Sequence, residues 1–452
     1  MVKHCLSLYI VPDSTDHDYV PSQKPVSQKS PSLKRELGIF EITLSGVGII
    51  LGAGIYALIG QATGLSGNSV WLAFLIAALL AAFTGLSYAE LSSMFPRAGA
   101  EYEYVSSAFG IRLAFVIGWL IILSGVLSAA TVALGFAGYF SSLTGSSAVL
   151  PSAIGLLILL TGILLYGVKE TAWVAIISTL IEVSGLVLII AIGIPRLGSV
   201  NYFEMPHGIT GIFAASALIF FAYQGFEAVV KFSDETMEPQ VTVPRALLFA
   251  LVISVVLYIL VAFCAVSILS WEQIAVSEAP FADIVAFSFG TEMVVIISLI
   301  ALFATANTAL LSMYASTRIA YSMAGSFSFP KAFGWVHPAR NTPWVTIGLI
   351  GMFSVLFVFS GSIAFVANLT NFTLFITFIV INAAVLALRY HEPDIPRPFR
   401  IPGSVKNVPL VPVAGLFFSI ILLTQLELPV MLLGLVLAGT GVAITFLKTR
   451  SV

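Results

Sequence analysis

The stretch that decides the fold is Gly46-Val-Gly-Ile-Ile-Leu-Gly-Ala-Gly-Ile-Tyr56, in which four glycines lie within an apolar segment of membrane length. Glycine allows a helix to break, and without a side chain it lets a ligand contact the backbone directly. Because a bilayer offers no hydrogen-bond partners, such a break is tolerated only where it lines a polar cavity. The segment therefore predicts an interrupted helix whose free N–H and C=O groups hold a small zwitterion or an ion. Close helix packing is an alternative role for Gly48, Gly52 and Gly54, and it stays open.

The composition indicates the class of protein. Hydrophobic residues make up 59% of the 452 residues, charged residues make up 9%, and the mean hydropathy is +1.04. A soluble chain carries about 25% charged residues, so this chain is predicted to be a polytopic α-helical membrane protein. The short run Phe281–Phe289 is predicted to be an interfacial or re-entrant helix. Twelve apolar runs reach the roughly 20 residues that a spanning helix needs, and they lie near 38–62, 69–95, 111–140, 151–168, 171–194, 209–232, 244–269, 291–325, 343–361, 363–388, 408–426 and 428–447.

The distribution of Lys and Arg predicts the orientation. With the N-terminus in the cytoplasm, nearly all of these residues fall on the inner side, and only Arg196 lies in an outer loop. Positive residues prefer the cytoplasmic side, so both termini are predicted to be cytoplasmic in a multi-pass protein of the cell (plasma) membrane. Residues 1–35 are polar, rich in Ser and Pro, and without helical periodicity. They predict a disordered cytoplasmic tail without a signal peptide.

Several other chemistries lack their sequence signatures. No G-x-x-x-x-G-K-[ST] phosphate loop occurs, and the five histidines include no pair at metal-ligand spacing. No basic arm for nucleic acid is present, and Cys5 and Cys264 form no disulfide framework. We therefore predict no enzyme activity, no cofactor, no metal and no nucleic-acid partner. The sequence does not determine the oligomeric state. Energy for uphill transport would come from an ion gradient or from exchange.

A second interrupted span is Phe220-Phe-Ala-Tyr-Gln-Gly-Phe-Glu-Ala228, where Gln, Gly and Glu lie within an apolar helix. Two interrupted spans, five spans apart, predict a carrier built from an inverted repeat. The repeats would cover about 38–194 and 209–388, with additional helices at about 408–447. The predicted fold class is thus an all-α membrane protein with twelve transmembrane helices, a five-plus-five inverted repeat, and broken first and sixth helices.

Four stretches, in this order, resemble those of the amino acid–polyamine–organocation permeases. The resemblance covers about residues 35 to 450 and implies a transmembrane permease domain at 36–450. It also implies secondary active transport of small-molecule amino acids across the lipid bilayer by alternating access. The stretches are Gly48-Ile-Ile-Leu-Gly-Ala-Gly-Ile-Tyr56, Tyr88-Ala-Glu-Leu-Ser-Ser-Met-Phe-Pro-Arg-Ala-Gly-Ala-Glu-Tyr102, Gly225-Phe-Glu227 with Glu235 to Pro239, and Arg389 to Pro402, which contains Arg397-Pro-Phe-Arg400.

The resemblance implies where the substrate binds. In this family, backbone N–H groups at the first break bind the substrate carboxylate, a role that falls on Gly52, Ala53 and Gly54. The half-helix that follows points the positive end of its dipole at the same place. Carbonyl groups near Ile49 and Ile50 would accept hydrogen bonds from the substrate ammonium group.

Further substrate contacts are expected from the sixth and eighth spans. Phe221 matches a position at which relatives place an aromatic cover over the substrate, and Ala222 to Gly225 would supply further carbonyl groups. An aromatic ring in this helix would ordinarily face lipid or the protein core, so that alternative is open. Asn307 and Thr308 would contact the substrate or the first-span backbone, although polar residues also simply join helices.

Two acids lie inside predicted spans, where an unpaired carboxylate is costly and therefore a functional candidate. The resemblance implicates Glu227 in proton-linked steps or gating, and the structural alternative is a carboxylate capped by N–H groups of the unwound strand. Some proton-coupled relatives have a Lys near the position of Glu182. The carboxyl group found here could carry the proton itself, coordinate a cation, or bond a neighbouring helix. Thr305 is grouped with these two acids as a gating candidate.

The leading prediction for the energy source is proton-linked uptake. Burial favours the neutral form of a carboxyl group, so Glu182 or Glu227 could exchange protons during transport. Exchange of internal for external substrate is the alternative, and sodium coupling also stays open. A channel would need a continuous pore lined by polar rings or carbonyl filters, which two isolated breaks do not favour.

Two further expectations concern selectivity and the cytoplasmic face. Phe220 and Phe221 predict that neutral or weakly polar side chains are accepted at least as readily as cationic ones. Charged residues near the cytoplasmic face, such as Glu90, Glu101 and Arg397, are expected to be solvated, with a few of them forming salt bridges of an inner gate.

Overall fold

The computed structural model describes residues 35, 37–97, 99–167, 172–324, 331–338, 340, 342–405 and 408–449. Apart from residue 35, the predicted tail at 1–35 lies outside these ranges, as does Cys5, so the disorder of the tail stays a prediction. The described chain is almost entirely helical. Its α-helices are α1 Ile39–Leu51, α2 Ala53–Ser66, α3 Val70–Met94, α4 Ala100–Phe109, α5 Ile111–Thr144, α6 Val149–Tyr166, α7 Ala172–Gly193, α8 Gly208–Ile219, α9 Pro239–Ile268, α10 Trp271–Val276, α11 Pro280–Phe289, α12 Val294–Ala324, α13 Trp344–Val358, α14 Ile363–His391, α15 Leu410–Leu423 and α16 Leu428–Thr449.

Short 3₁₀ helices and one small hairpin complete the regular structure of the described ranges. In the connection between α14 and α15, β1 Ser404–Val405 pairs antiparallel with β2 Val408–Pro409. The 3₁₀ helices lie at Gly67–Ser69, Ile194–Arg196, Phe220–Tyr223, Phe226–Glu235, Thr291–Met293 and Lys331–Gly334.

Many of these helices have the length and composition of membrane spans. Across the described ranges, 9 helical segments are long and apolar enough to cross a membrane. The first segment, Ile39–Met94, is 56 residues long and contains α1, α2 and α3. The apolar helices α11, α13 and α15 are shorter, with 10–17 residues each. Each apolar run predicted from the sequence overlaps at least one of these helices, so the predicted all-α class is confirmed for the described ranges, and the helices have lengths and compositions suited to several membrane crossings.

The helix α5 lies at the centre of the packing. It contacts α12, α14 and α6, and all of its residues from Ile122 to Gly135 are buried. A β-carbon on Gly125 would overlap Ser316 of α12, so small residues bring these helices close together, as is usual in membranes. Large apolar side chains such as Leu159 of α6 and Leu435 of α16 are exposed, which suits contact with lipid.

Two apolar helices are interrupted at the predicted positions. α1 ends at Leu51 and α2 begins at Ala53, because Gly52 between them has φ −37° and ψ −154°, which is not helical. α8 is followed by the 3₁₀ helix Phe220–Tyr223, after which Gly225 has φ +115°. A φ in this range is readily adopted by glycine and strained for other residues. The second interruption therefore depends on glycine at this position.

Candidate functional site

The two helix breaks contact each other directly. A β-carbon built on Gly54 would lie 2.5 Å from Cα of Ala222, and one built on Gly225 would lie 2.9 Å from the carbonyl oxygen of Ile49. Real β-carbons do not approach other atoms so closely, so glycine allows these backbones to meet. Both roles considered for the glycines are thus present. Gly52 carries the first break, and Gly54 lies at a close contact between the first and second breaks.

One backbone donor of the first break is bonded to a side chain. The N–H of Ala53 donates to Oγ1 of Thr308, which is 3.0 Å away. Thr308 lies on α12 and also fills the space beside Gly52, where a β-carbon would lie 2.5 Å from its Oγ1. The structure therefore brings together three of the predicted substrate-site residues from two different spans.

Tyr258 of α9 joins the two breaks. Its hydroxyl lies 2.6 Å from the carbonyl oxygen of Ile50 and 2.9 Å from the carbonyl oxygen of Ala222. These two carbonyl groups belong to the first and the second break. Tyr258 is absent from the site predicted from the sequence. The sequence feature that could have revealed it is a tyrosine within the apolar run at 244–269, because a hydroxyl group inside a membrane needs a hydrogen-bond partner.

Glu227 stabilises the backbone at the second break. Its Oε2 accepts a hydrogen bond from the N–H of Gly225 at 2.8 Å, and the residue is 8% exposed. This contact is the capping role that the sequence left as the structural alternative. Lys231 follows on the same 3₁₀ helix, and its Nζ lies 3.8 Å from Oε1 of Glu101. The carboxylate of Glu227 therefore fixes the glycine that turns the chain.

Asn307, which is half-buried, contacts the buried carboxylate of Glu182. Nδ2 of Asn307 donates to Oε1 of Glu182 at 3.1 Å, and Glu182 is 1% exposed. The hydroxyl of Tyr56, in the first turns of α2, donates to the backbone carbonyl of Glu182 at 2.7 Å. Asn307 is thus engaged with the acid of α7, whereas its neighbour Thr308 is engaged with the first break.

The remaining predicted site residues are Thr305 and Phe221. The hydroxyl of Thr305 donates to the carbonyl oxygen of Ala301 at 2.7 Å, within its own helix. Phe221 is 3% exposed, so it is buried in the protein and does not face lipid. Its neighbour Phe220 packs against Phe375 of α14, with ring centroids 5.2 Å apart. Both rings belong to the buried hydrophobic core, and a cover over the substrate stays a prediction for Phe221.

Asn371 of α14 is a second residue absent from the predicted site. Its Nδ2 donates to the carbonyl oxygens of Ala217 at 2.7 Å and Leu218 at 3.0 Å. These carbonyl groups lie in the last turn of α8, where a helix end leaves acceptors without helical partners. Asn371 therefore satisfies the second break from a neighbouring helix.

Glu90 and Glu101 correct an expectation from the sequence, because both are buried and not solvated. Their exposed fractions are 0% and 3%. The carboxylate of Glu90 accepts hydrogen bonds from Nε of Arg389 at 2.8 Å and from the N–H of Ile401 at 2.9 Å. Nε of Arg397 lies 3.5 Å from the same carboxylate. These partners replace water, which allows the charge to be buried.

Arg397 organises the segment that follows α14. Its guanidinium donates to the carbonyl oxygens of Leu388 and Pro393 at 3.0 Å and of Glu392 at 2.9 Å. Burial lowers the pKa of this guanidinium, and the carboxylate of Glu90 opposes the shift. The Arg397 side chain is 9% exposed, so it too is structural and not solvated as expected.

Comparison with known proteins decides the family. The sequence profile described as amino acid permease matches residues 37–446. The chain belongs to the amino acid permease family. The branched-chain amino acid permease BcaP of Bacillus subtilis (strain 168) is 32% identical over 93% of this chain and 94% of its own length. The methylthioribose transporter of the same organism is 32% identical over 85% of this chain and 87% of its own length. The vacuolar cationic amino acid transporter 4 of Arabidopsis thaliana is 29% identical, covering 80% of this chain and 64% of its own length.

These similarities confirm two predictions made from the sequence. The family is the one that the four stretches indicated. The relatives are permeases and transporters, so the permease is not an enzyme, as predicted. Within the described ranges, no three His, Cys, Asp or Glu side chains converge as the ligands of a metal ion would.

Proposed function

We propose that the permease binds an α-amino acid at the two helix breaks and carries it across the membrane by alternating access. The observation that supports this proposal most strongly is the contact between the breaks, where Gly54 meets Ala222 and Gly225 meets Ile49. Broken helices bring free N–H groups and free carbonyl groups to one place inside the membrane. This combination matches the carboxylate and ammonium groups of an amino acid.

The first break would bind both charged groups of the substrate. The carboxylate would accept hydrogen bonds from the N–H groups of Gly52, Ala53 and Gly54, where α2 begins and the helix dipole is positive. The ammonium group would donate to the carbonyl oxygens of Ile49 and Ile50, at the end of α1. The order of these groups along the chain orients the amino acid relative to the two half-helices.

The second break and α12 would complete the site. Ala222 and Gly225 would supply further carbonyl groups, and Phe221 would cover the substrate. Thr308 is proposed as a site residue because its hydroxyl is 3.0 Å from the N–H of Ala53. Asn307 is proposed as a neighbouring residue that links this site to a buried acid.

The proposed topology has twelve spans and an inverted repeat. A helix rises 1.5 Å per residue, so the 56 residues of Ile39–Met94 would extend about 84 Å, far more than one crossing of a hydrocarbon core of about 30 Å. We therefore assign two spans to this segment, and α13 and α15 bring the total to twelve. The repeats would run from α1 to α7 and from α8 to α14, each beginning with a broken helix. Residues 36–450 would form the permease domain, and both termini, including the tail at 1–35, would be cytoplasmic at the plasma membrane.

The proposed substrates are neutral amino acids, among them those with branched apolar side chains. Phe221 offers an apolar surface to the substrate side chain. The carboxylate of Glu227 accepts a hydrogen bond from the N–H of Gly225, so we do not expect Glu227 to pair with a cationic side chain. The similarity to a branched-chain amino acid permease, at 32% identity over 93% of this chain, supports the same choice. Cationic amino acids and methylthioribose are the competing substrates that the other relatives suggest.

A thermal-shift screen of the purified full-length protein tests this proposal. A ligand that binds the folded state raises the melting temperature, Tm, by mass action. We expect leucine, isoleucine and valine to raise Tm, and we expect leucinol and 4-methylpentanoate, which lack the carboxylate and the ammonium group respectively, to have no effect. Stabilisation only by polyamines or methylthioribose, or by no ligand, would contradict amino acid transport.

The proposed energy source is a proton that Glu182 carries, with Glu227 and Thr305 as further candidates for coupling or gating. The burial of Glu182 and its hydrogen bond with the amide of Asn307 support this choice. Exchange of one amino acid for another is the alternative mode of transport. Uptake that depends on a sodium gradient would contradict proton coupling.

A further inference from the structure

We propose that Thr308 and Tyr258 act as internal partners of the two helix breaks and let the permease return across the membrane without an amino acid. The permease would then carry out net transport and not obligatory exchange of one amino acid for another. This inference rests on the substrate site proposed above. It adds a role for two hydroxyl groups on α12 and α9, helices that contain neither break.

The two hydroxyl groups bond to the backbone groups that an amino acid would use. The N–H of Ala53, proposed to bind the carboxylate, donates to Oγ1 of Thr308 at 3.0 Å. The carbonyl oxygens of Ile50 and Ala222, proposed to bind the ammonium group, lie 2.6 and 2.9 Å from the hydroxyl of Tyr258. Thr308 thus presents an acceptor, as a carboxylate does, and Tyr258 presents a donor, as an ammonium group does.

These backbone groups need a partner at every stage of transport. Ile50, Ala53 and Ala222 are at most 1% exposed, and a polar group buried without a hydrogen bond is costly, above all inside a membrane. If only the amino acid could satisfy them, its release would leave them unpaired, and the empty carrier would reorient slowly. With the two hydroxyl groups in place, the N–H of Ala53 exchanges one partner for another, and the carbonyl groups of Ile50 and Ala222 share the single proton of the Tyr258 hydroxyl.

Reconstituted proteoliposomes separate the two transport modes. Counterflow of labelled leucine against leucine on the opposite side reports exchange, in which the carrier is loaded in both directions. Efflux of labelled leucine into a medium without amino acids requires the empty carrier to return. Both assays are repeated with a labelled mixture of the twenty amino acids, in case leucine is not the substrate. Thr308→Val removes the hydroxyl and keeps the branched shape, and Tyr258→Phe removes only the phenolic oxygen.

Matched controls remove buried hydroxyl groups that bond to neither set of break residues. Thr317→Val acts on α12, where the hydroxyl donates to the carbonyl oxygen of Met313 at 2.8 Å. Tyr88→Phe acts on α3, where the buried hydroxyl lies 3.4 Å from Oε1 of Glu101. The readout is the ratio of efflux to counterflow, because differences in the amount of folded protein cancel in a ratio.

We expect this ratio to fall at least about tenfold in Thr308→Val and Tyr258→Phe, equivalent to about 1.4 kcal/mol on the return step, and to stay within about twofold in the controls. An unchanged ratio in both variants, including an equal loss of both modes, would overturn the inference and assign the hydroxyl groups to substrate binding or packing. Absence of counterflow in the unmodified permease, with leucine and with the mixture, would instead refute the proposed function.

Discussion

Asn307 donates a hydrogen bond from its side-chain amide to the carboxylate of Glu182, with 3.1 Å between Nδ2 and Oε1. The next residue, Thr308, accepts a hydrogen bond from the N–H of Ala53 at 3.0 Å. One helix, α12, therefore contacts both the buried acid of α7 and the first break. A carboxylate only accepts hydrogen bonds, whereas a protonated carboxyl group also donates one. Protonation of Glu182 would therefore allow it to donate to the amide oxygen of Asn307 and not only to accept from its Nδ2.

Glu182→Gln is expected to remove the response of leucine uptake to an imposed pH gradient and to spare exchange at equal pH on both sides. The amide cannot take up the transported proton, yet its oxygen still accepts from Asn307. The measurement is uptake into proteoliposomes, with Glu292→Gln at an exposed position as the control. Full proton-driven accumulation by Glu182→Gln, or uptake that follows a sodium gradient at constant pH, would contradict the assignment.

Gly54→Val is expected to abolish leucine binding without preventing membrane insertion. Even its β-carbon would lie 2.5 Å from Cα of Ala222, so the two breaks would be forced apart. Gly155→Val of α6 is the matched control, since a β-carbon there meets nothing within 4 Å. The thermal shift with leucine measures binding. Normal binding and uptake by Gly54→Val would exclude the contact between the breaks as the substrate site.

Glu227→Gln is expected to retain most leucine transport, whereas Glu227→Leu is expected to lose it. The glutamine oxygen can still accept the hydrogen bond that the N–H of Gly225 donates to Oε2 at 2.8 Å, and leucine cannot. Uptake rates at equal expression, with and without a pH gradient, separate the two roles of this acid. Loss of only the proton-driven component in Glu227→Gln would show that Glu227 carries a proton and is more than a cap.

Glu90→Gln is expected to lower thermal stability strongly. The change leaves Arg389, which is 3% exposed, without its counter-charge, and breaking a buried ion pair in this way costs about 3–5 kcal/mol. Glu103→Gln is the control, because its partner Arg97 has a 74% exposed side chain and such surface pairs contribute about 0–1 kcal/mol. The measurement is Tm of the purified protein in detergent. Equal Tm values for the two variants would show that the buried pair is not needed for stability.

The positions of the long apolar helices and of the two breaks followed from the sequence alone, whereas the shorter helices α4 and α10 were not predicted. Apolar runs of spanning length mark helices because a bilayer admits no unpaired backbone, and the helix bounds agree with those runs to within a few residues. Gly52 and Gly225 marked the breaks, since glycine in an apolar helix is a local signal. The capping of Gly225 by Glu227 is equally local, because donor and acceptor are two positions apart, and it was foreseen as an alternative.

The partners of the breaks were decided by the tertiary structure. Ala53 and Thr308 are 255 positions apart, and Ile50 and Tyr258 are 208 apart, so their hydrogen bonds depend on which helix faces meet. In a soluble protein, polar residues mark the outer face of a helix and so reveal the inner one. In a bilayer both the lipid and the protein interior are apolar, and the hydrophobic pattern no longer distinguishes them. The places of Tyr258 and Asn371, and the burial of Glu90, therefore emerged only when the helices were packed.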